Sequence, residues 1–131
     1  MVESRADLAI YRLERAEEDL KGAKVLLDNK LYKQSINRSY YGIFHATRAL
    51  LALDKFDSKK HSGIISYFNR NYVANGKIEK EYSKILMKAQ KLRTKGDYTD
   101  FFIASKNDAE MLLADAQKYF KKIKVYIDSS S

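Results

Sequence analysis

The chain has no cysteine and no proline, and only five of its 131 residues are glycine. Without cysteine, disulfide bridges and thiolate metal sites are excluded, and the redox compartment stays open. A sheet protein draws on proline and glycine for its many tight turns, so their scarcity argues against one. No apolar run approaches the roughly 20 residues that a membrane-spanning helix needs. The opening stretch MVESRADLAIYRLERAEE is too charged for a signal peptide. A soluble cytoplasmic chain with no membrane contact is therefore expected. What is present favours helices: Lys, Leu and Ala are the commonest residues. The length suits a single domain over residues 1–131 with a genuine core.

The formal charge of +8 is unevenly placed. Residues 55–95 hold eleven Lys or Arg against three acids, while the remainder balances at fourteen against fourteen. A localised basic segment focuses its field and points to a polyanionic partner better than a diffuse excess does.

Helical periodicity runs through the chain. Ala6, Ala9, Leu13, Ala16, Leu20, Ala23 and Leu27 step by three and four and form one stripe. Asp28-Asn29-Lys30 reads as a stop, and a second helix spans Leu31 to Leu53. Lys55 to Lys60 is a polar connection, with Ser58 as cap of a shorter third helix ending near Tyr72. After the Ala74-Asn75-Gly76 turn, Ile78, Tyr82, Ile85, Ala89 and Leu92 mark a fourth helix that Lys95-Gly96-Asp97 ends. Ala109, Leu113, Ala116, Phe120, Ile123 and Ile127 mark a fifth, with residues 129–131 as a frayed tail. The expected fold class is all-α: an up-and-down bundle of four or five helices with one short helix inserted.

The second helix carries the stretch NRSYYGIFHATRALL. At 100° per residue, Ile36, Tyr40, Ile43, Phe44, Thr47, Leu50 and Leu51 share the core side. Gln34, Arg38, Tyr41, His45 and Arg48 form a second stripe nearly opposite, expected to point outward. Beside it runs a small-residue strip of Gly42, Ala46 and Ala49, which suits close approach of another helix. That helix could belong to a second copy or to the same bundle.

RSYYGIFHATRALL, followed by KKHSGIISYF, resembles the signature segment of HEPN domains, the small stand-alone prokaryotic proteins in particular. Their hallmark is an arginine, four to six intervening residues and a histidine; Arg38 and His45 are separated by six. Arg93, Asp97-Tyr98 and the closing DAEMLLADAQKYFKKI are similar to the family's last third. The resemblance implies a helical bundle that dimerises through the second helix, with Gly42, Ala46 and Ala49 as interface candidates. It also implies a metal-independent endoribonuclease, acting as the toxin of a pair whose antitoxin is a small nucleotidyltransferase. Arg38 and His45 match the catalytic positions, and Asn37, Tyr41 and Arg48 are supporting candidates. No cofactor and no metal are implied. The alternative is a non-catalytic binding and dimerisation module that partners the nucleotidyltransferase. Two positions depart from the family pattern. Ser39 follows the arginine where Asn, Asp or His is usual. Thr47 stands where some members carry a tyrosine that the antitoxin modifies with AMP.

The chemistry can be argued independently. Metal-free RNA cleavage needs a base for the 2′-hydroxyl, an acid for the leaving oxygen and positive charge for the transition state. Histidine serves as either acid or base near neutrality, and arginine offers a charged fork matched to phosphate. Seven helical residues separate the two Cα atoms by about 10 Å, so a phosphate fits between them or a two-fold axis pools two copies. On the fourth helix Lys77, Lys80, Lys84, Lys88, Lys91 and Lys95 form one row. The row reads either as a track for a phosphate backbone or as a solvated face, with Lys80, Lys84, Lys88 and Lys91 the RNA-binding candidates. His61, between Lys60 and Ser62, reads as packing or capping a helix start, with an anion site as the alternative.

Overall fold

Ser4 opens the first helix with a capping box: its hydroxyl accepts from Asp7 N–H at 3.1 Å, and its own N–H donates to the Asp7 carboxylate at 3.3 Å. In the computed structural model, which describes residues 4–98 and 102–130, this helix is α1 (Arg5–Asp28). It is followed by α2 (Tyr32–Ala52), α3 (His61–Phe68), one π turn (Asn69–Val73), α4 (Lys80–Tyr98) and α5 (Lys106–Ser129). No strand occurs among the described residues. The fold is the all-α bundle that the periodicity predicts.

Both ends of the α2 segment are set by a lysine in the left-handed region. After α1, Leu31 N–H reaches Leu26 O and Lys30 N–H reaches Leu27 O, with Lys30 at φ 61°. After α2, Phe56 N–H reaches Leu51 O and Lys55 N–H reaches Ala52 O, with Lys55 at φ 57°. These paired bonds satisfy carbonyls that a helix end leaves open and turn the chain sharply. Arg5 adds a bond from its guanidinium to Leu53 O at 2.8 Å, tying α1 to the end of α2.

The central element is α2, which packs against α1, α5, α4 and α3. Tyr40, Ile43, Leu50 and Leu51 are fully buried in it, as is Thr47. Thr47 donates to Ile43 O at 2.8 Å and accepts from Tyr119 of α5 at 2.6 Å. Burial holds the Tyr119 proton in place, so this polar pair is satisfied inside the core.

Several expectations need correction. The small strip of Gly42, Ala46 and Ala49 is buried within the protomer, facing α1. A Cβ on Gly42 would lie 2.5 Å from Leu20 Cδ2 and 3.5 Å from Ala16 O. The small residues therefore serve the α1–α2 approach and are not free to meet a second copy. On α1, Ala6 is exposed and Leu27 only half-buried, whereas Asp19 is buried. Ser58 does not cap α3. Its hydroxyl accepts from Lys60 N–H at 3.2 Å, and Lys60 stands at the cap position without a side-chain bond. Gly96 does not end α4, which continues to Tyr98 with Arg93 and Asp97 paired one turn apart. The helix α5 extends through Ser129 with Ser130 as its cap, so only residue 131 of the expected tail lies outside the described residues.

Candidate functional site

Asp19 is an acid on the buried face of α1, three residues after Ala16 and four before Ala23. Its side chain is only 10% exposed. A carboxylate held there needs partners, and α2 supplies two. Arg38 Nη1 donates to Asp19 Oδ1 at 2.9 Å, and His45 Nδ1 lies 2.7 Å from Asp19 Oδ2. One carboxylate from the neighbouring helix thus spans the seven-residue gap that no direct Arg38–His45 contact closes.

The consequences are specific. A carboxylate at Nδ1 places the ring proton there. His45 Nε2 then keeps a lone pair and has no partner among the described residues. Arg38 commits only Nη1 to Asp19, and its side chain is 57% exposed, leaving further N–H groups for an anion. His45 does not project outward as its stripe suggests: its side chain is 14% exposed, lodged against Asp19 and beside the Tyr41 ring.

The supporting candidates scatter. Tyr41 is the one beside the pair, its ring centroid 5.8 Å from that of His45. Its hydroxyl accepts from Arg93 Nη2 at 3.2 Å, and the Arg93 guanidinium lies 5.5 Å from its ring centre. Arg93 Nε lies 3.0 Å from Asp97 Oδ2, an ion pair by distance whose N–H does not aim at the oxygen. Arg48 turns away to Asp57, with Nη2 2.7 Å from Oδ2, and Arg12 of α1 joins at 3.2 Å. Burial alone would raise the Asp57 carboxyl. The bonds from Arg48 and Ser58 N–H and the charges of Arg48 and Arg12 outweigh it and hold the carboxyl below its usual range. Asn37 Oδ1 is buried without a hydrogen bond and so accepts from neither Arg38 nor His45. Ser39 Oγ is likewise buried and unbonded, so it does not orient the arginine before it. The buried Thr47 hydroxyl, committed to the core, is not placed to receive a modifying group.

His61 forms part of the same neighbourhood. It stacks on Phe44 at 4.0 Å between centroids, and its Nδ1 lies 2.8 Å from the Tyr40 hydroxyl. Burial pushes Tyr40 up to about 12 against the opposing charge of Arg93, so Tyr40 keeps its proton. His61 is shifted below its ordinary 6.5, by burial first and then by Arg93, Arg48 and His45. The lysines of the fourth-helix row stand elsewhere. Lys80, Lys84, Lys88 and Lys91 are exposed on the side of α4 opposite Ile85 and Ala89, and none forms an ion pair among the described residues.

Asp19, Arg93 and Asp57 were not read as site residues from the sequence. Asp19 gave a signal as an acid set into an apolar stripe, and Arg93 only through its place in the family-like last third. Arg93 lies far from the signature helix in sequence and meets it only in the fold, whereas Asp57 follows α2 closely with no pattern to mark it.

Residues 9–126 match the HEPN domain family. A Methanocaldococcus jannaschii protein named "Putative toxin" is 40% identical over 112 residues, covering 86% of this chain and 83% of its own. A UPF0332 protein of Thermotoga maritima is 32% identical over 118 residues, covering 90% and 89%. The crystal structure of an archaeal HEPN homologue aligns with TM-score 0.67 at 19% identity, over 96% of this chain and 99% of that one.

Proposed function

The chain belongs to the HEPN domain family, and from that premise we propose that it is a metal-independent endoribonuclease, the toxin half of a toxin–antitoxin pair. The observation that carries this reading is the Asp19 carboxylate bridging Arg38 and His45, with His45 Nε2 left free. A carboxylate at one ring nitrogen orients the other for proton transfer. His45 Nε2 takes the 2′-hydroxyl proton; O2′ bonds to phosphorus as the P–O5′ bond breaks; and O5′ leaves with a proton from a protonated His45 of a second copy. Arg38 holds a non-bridging phosphate oxygen as charge develops there. The products are a 2′,3′-cyclic phosphate end and a free 5′-hydroxyl.

A two-fold dimer fits this scheme, because one protomer brings a single histidine to the bridge while the reaction needs both a base and an acid. The names of relatives such as that from Methanocaldococcus jannaschii support the toxin context; a small nucleotidyltransferase as antitoxin is what the family resemblance implies. The second reading is a non-catalytic module that partners the nucleotidyltransferase. The buried, unbonded Ser39 hydroxyl favours it, because no side chain follows Arg38 to steady its fork.

The test is total RNA incubated with purified protein in chelator, beside Arg38→Ala and His45→Ala. Losses of roughly 10²-fold or more are expected in both variants, with the helical spectrum kept. Unchanged cleavage by His45→Ala, or none by wild type, would leave the binding-module reading in its place.

A further inference from the structure

An open cleft of about 550 Å³ lies beside His61, lined by Phe44, Arg48, Asp57, Ser58, Lys59 and His61. We propose that this cleft is a second phosphate subsite for RNA, taking the phosphodiester next to the one held at Arg38 and His45, with the His61 Nε2–H, Arg48 and Lys59 as its donors. The proposal deepens the ribonuclease reading and depends on it only for which phosphodiester is cut.

The donors are preset. Tyr40 is fully buried and keeps its proton, and among the described residues its hydroxyl has only His61 Nδ1 to donate to, at 2.8 Å. The opposite tautomer would leave that buried hydroxyl proton unbonded, which costs about 1–3 kcal/mol. The His61 N–H is therefore on Nε2, on the side of the ring away from Tyr40. Phe44, stacked at 4.0 Å, fixes the ring plane. The turn that presents Lys59 is pinned as well. Ser58 N–H donates to Asp57 Oδ1 at 2.8 Å, and Ser58 Oγ accepts from Lys60 N–H at 3.2 Å. Gly63 leaves room for Ser58: a Cβ there would collide with the Ser58 hydroxyl. Donors held in place before binding lose little entropy when an anion arrives.

The field in the cleft is positive. Its one carboxylate, Asp57, is already engaged by Arg48 and Arg12. Lys59 and Lys60 are exposed with no ion-pair partner among the described residues. The lowered proton affinity of His61 reports the same field after burial is counted, since Arg93 and Arg48 both contribute to it.

The cleft also neighbours the Arg38–His45 site. The Tyr41 ring lies 5.8 Å from His45 and 6.2 Å from His61; the Phe44 ring lies 6.2 Å and 4.0 Å from them. Both histidines flank the same two rings, which sets the two sites side by side.

The probe is a fluorescein-labelled oligonucleotide of 2′-O-methyl RNA, which lacks the attacking hydroxyl and so reports binding alone. Anisotropy is followed across a salt series for wild type, Lys59→Gln, His61→Gln and Gly63→Ala, with circular dichroism as the check on folding. Each variant should bind at least threefold more weakly. For Lys59→Gln the log–log salt slope should fall by roughly 0.7, one phosphate contact on a single strand. For His61→Gln the slope should hold, because a neutral donor releases no counterion. Lys59 is exposed, so its variant keeps the test alive should His61→Gln unfold. Wild-type affinity and slope in Lys59→Gln and His61→Gln overturn the subsite, even if Arg38 and His45 prove essential for cleavage. A wild type that binds no oligonucleotide overturns it too, and weakening only toward an acidic peptide would assign the cleft to a protein partner instead. If wild type cleaves nothing while Lys59→Gln binds the probe weakly with a lower slope, the catalytic reading falls and the subsite stands.

Discussion

Asp19 organises the site without belonging to the signature helix, and its replacement separates orientation from charge. Asp19→Asn keeps the volume but presents an amide N–H to one of two donors, Arg38 Nη1 or His45 Nδ1. We expect a stability loss of about 1–3 kcal/mol, the cost of an unsatisfied buried group, measured by urea unfolding. RNA cleavage should fall roughly 10²-fold, as it does when a proton-transfer group loses its alignment. Cleavage at the wild-type rate would remove Asp19 from the mechanism. At the same scale His61 governs a pH effect. Its folded proton affinity is lowered by burial and then by Arg93, Arg48 and His45, so the unfolded chain binds the proton more readily. Stability from this residue is present above the ordinary value of 6.5 and is lost as pH falls through the lowered folded value. Unfolding free energy should therefore decline on acidification from 6.5 down to the lowered folded value and level off below it, and His61→Phe, which keeps the ring on Phe44, should flatten the decline. An equally steep decline in the variant would place the proton uptake on another group. The two histidines illustrate what a helical wheel shows. It put His45 on an outward face, and it could not show that Asp19 of α1 covers that face.

Helix packing decides the next scale. Gly42 approaches Leu20 and Ala16 O within the protomer, so Gly42→Leu overfills the α1–α2 contact. We expect a loss of about 1–3 kcal/mol, the usual cost of overpacking, even though glycine is the poorer helix former by about 1 kcal/mol. The midpoint of chemical unfolding checks this, and an unchanged midpoint would show that α1 can yield at Leu20. Element boundaries were legible where side-chain chemistry marks them, as at Ala74-Asn75-Gly76. They were misread where tertiary contacts prevail. Gly96 looks like a stop, yet Arg93 pairs with Asp97 across it, and Gly96 packs near Lys33 and Phe102. Lys30 and Lys55 take left-handed positions where glycine is the expected residue, because paired backbone bonds and the packing of α2 hold them there.

For the whole molecule, the question is assembly. With Gly42, Ala46 and Ala49 buried against α1, the proposed dimer, if it is to pool two copies of the site, would use the surface around the exposed Arg38 instead. Sedimentation at tens of micromolar should show a dimer, and a chain that stays monomeric there would leave the site with one histidine at the bridge. The charge distribution bears on the same scale. The basic segment is divided by the fold into a solvated row on α4 and a tighter group at the Lys59–His61 turn. Only the second group adjoins the Arg38–His45 site through shared rings.

By itself the sequence determined the all-α class and the order of the helices, because periodicity is a property of a single helix, and its family resemblance singled out Arg38 and His45 as candidates. Tertiary structure alone decided what spans that pair. Asp19 is 19 residues from Arg38 and 26 from His45 along the chain, and it reaches both only because Gly42, Ala46 and Ala49 let α1 close on α2. The same approach that consumed the small-residue strip brought the carboxylate to the histidine.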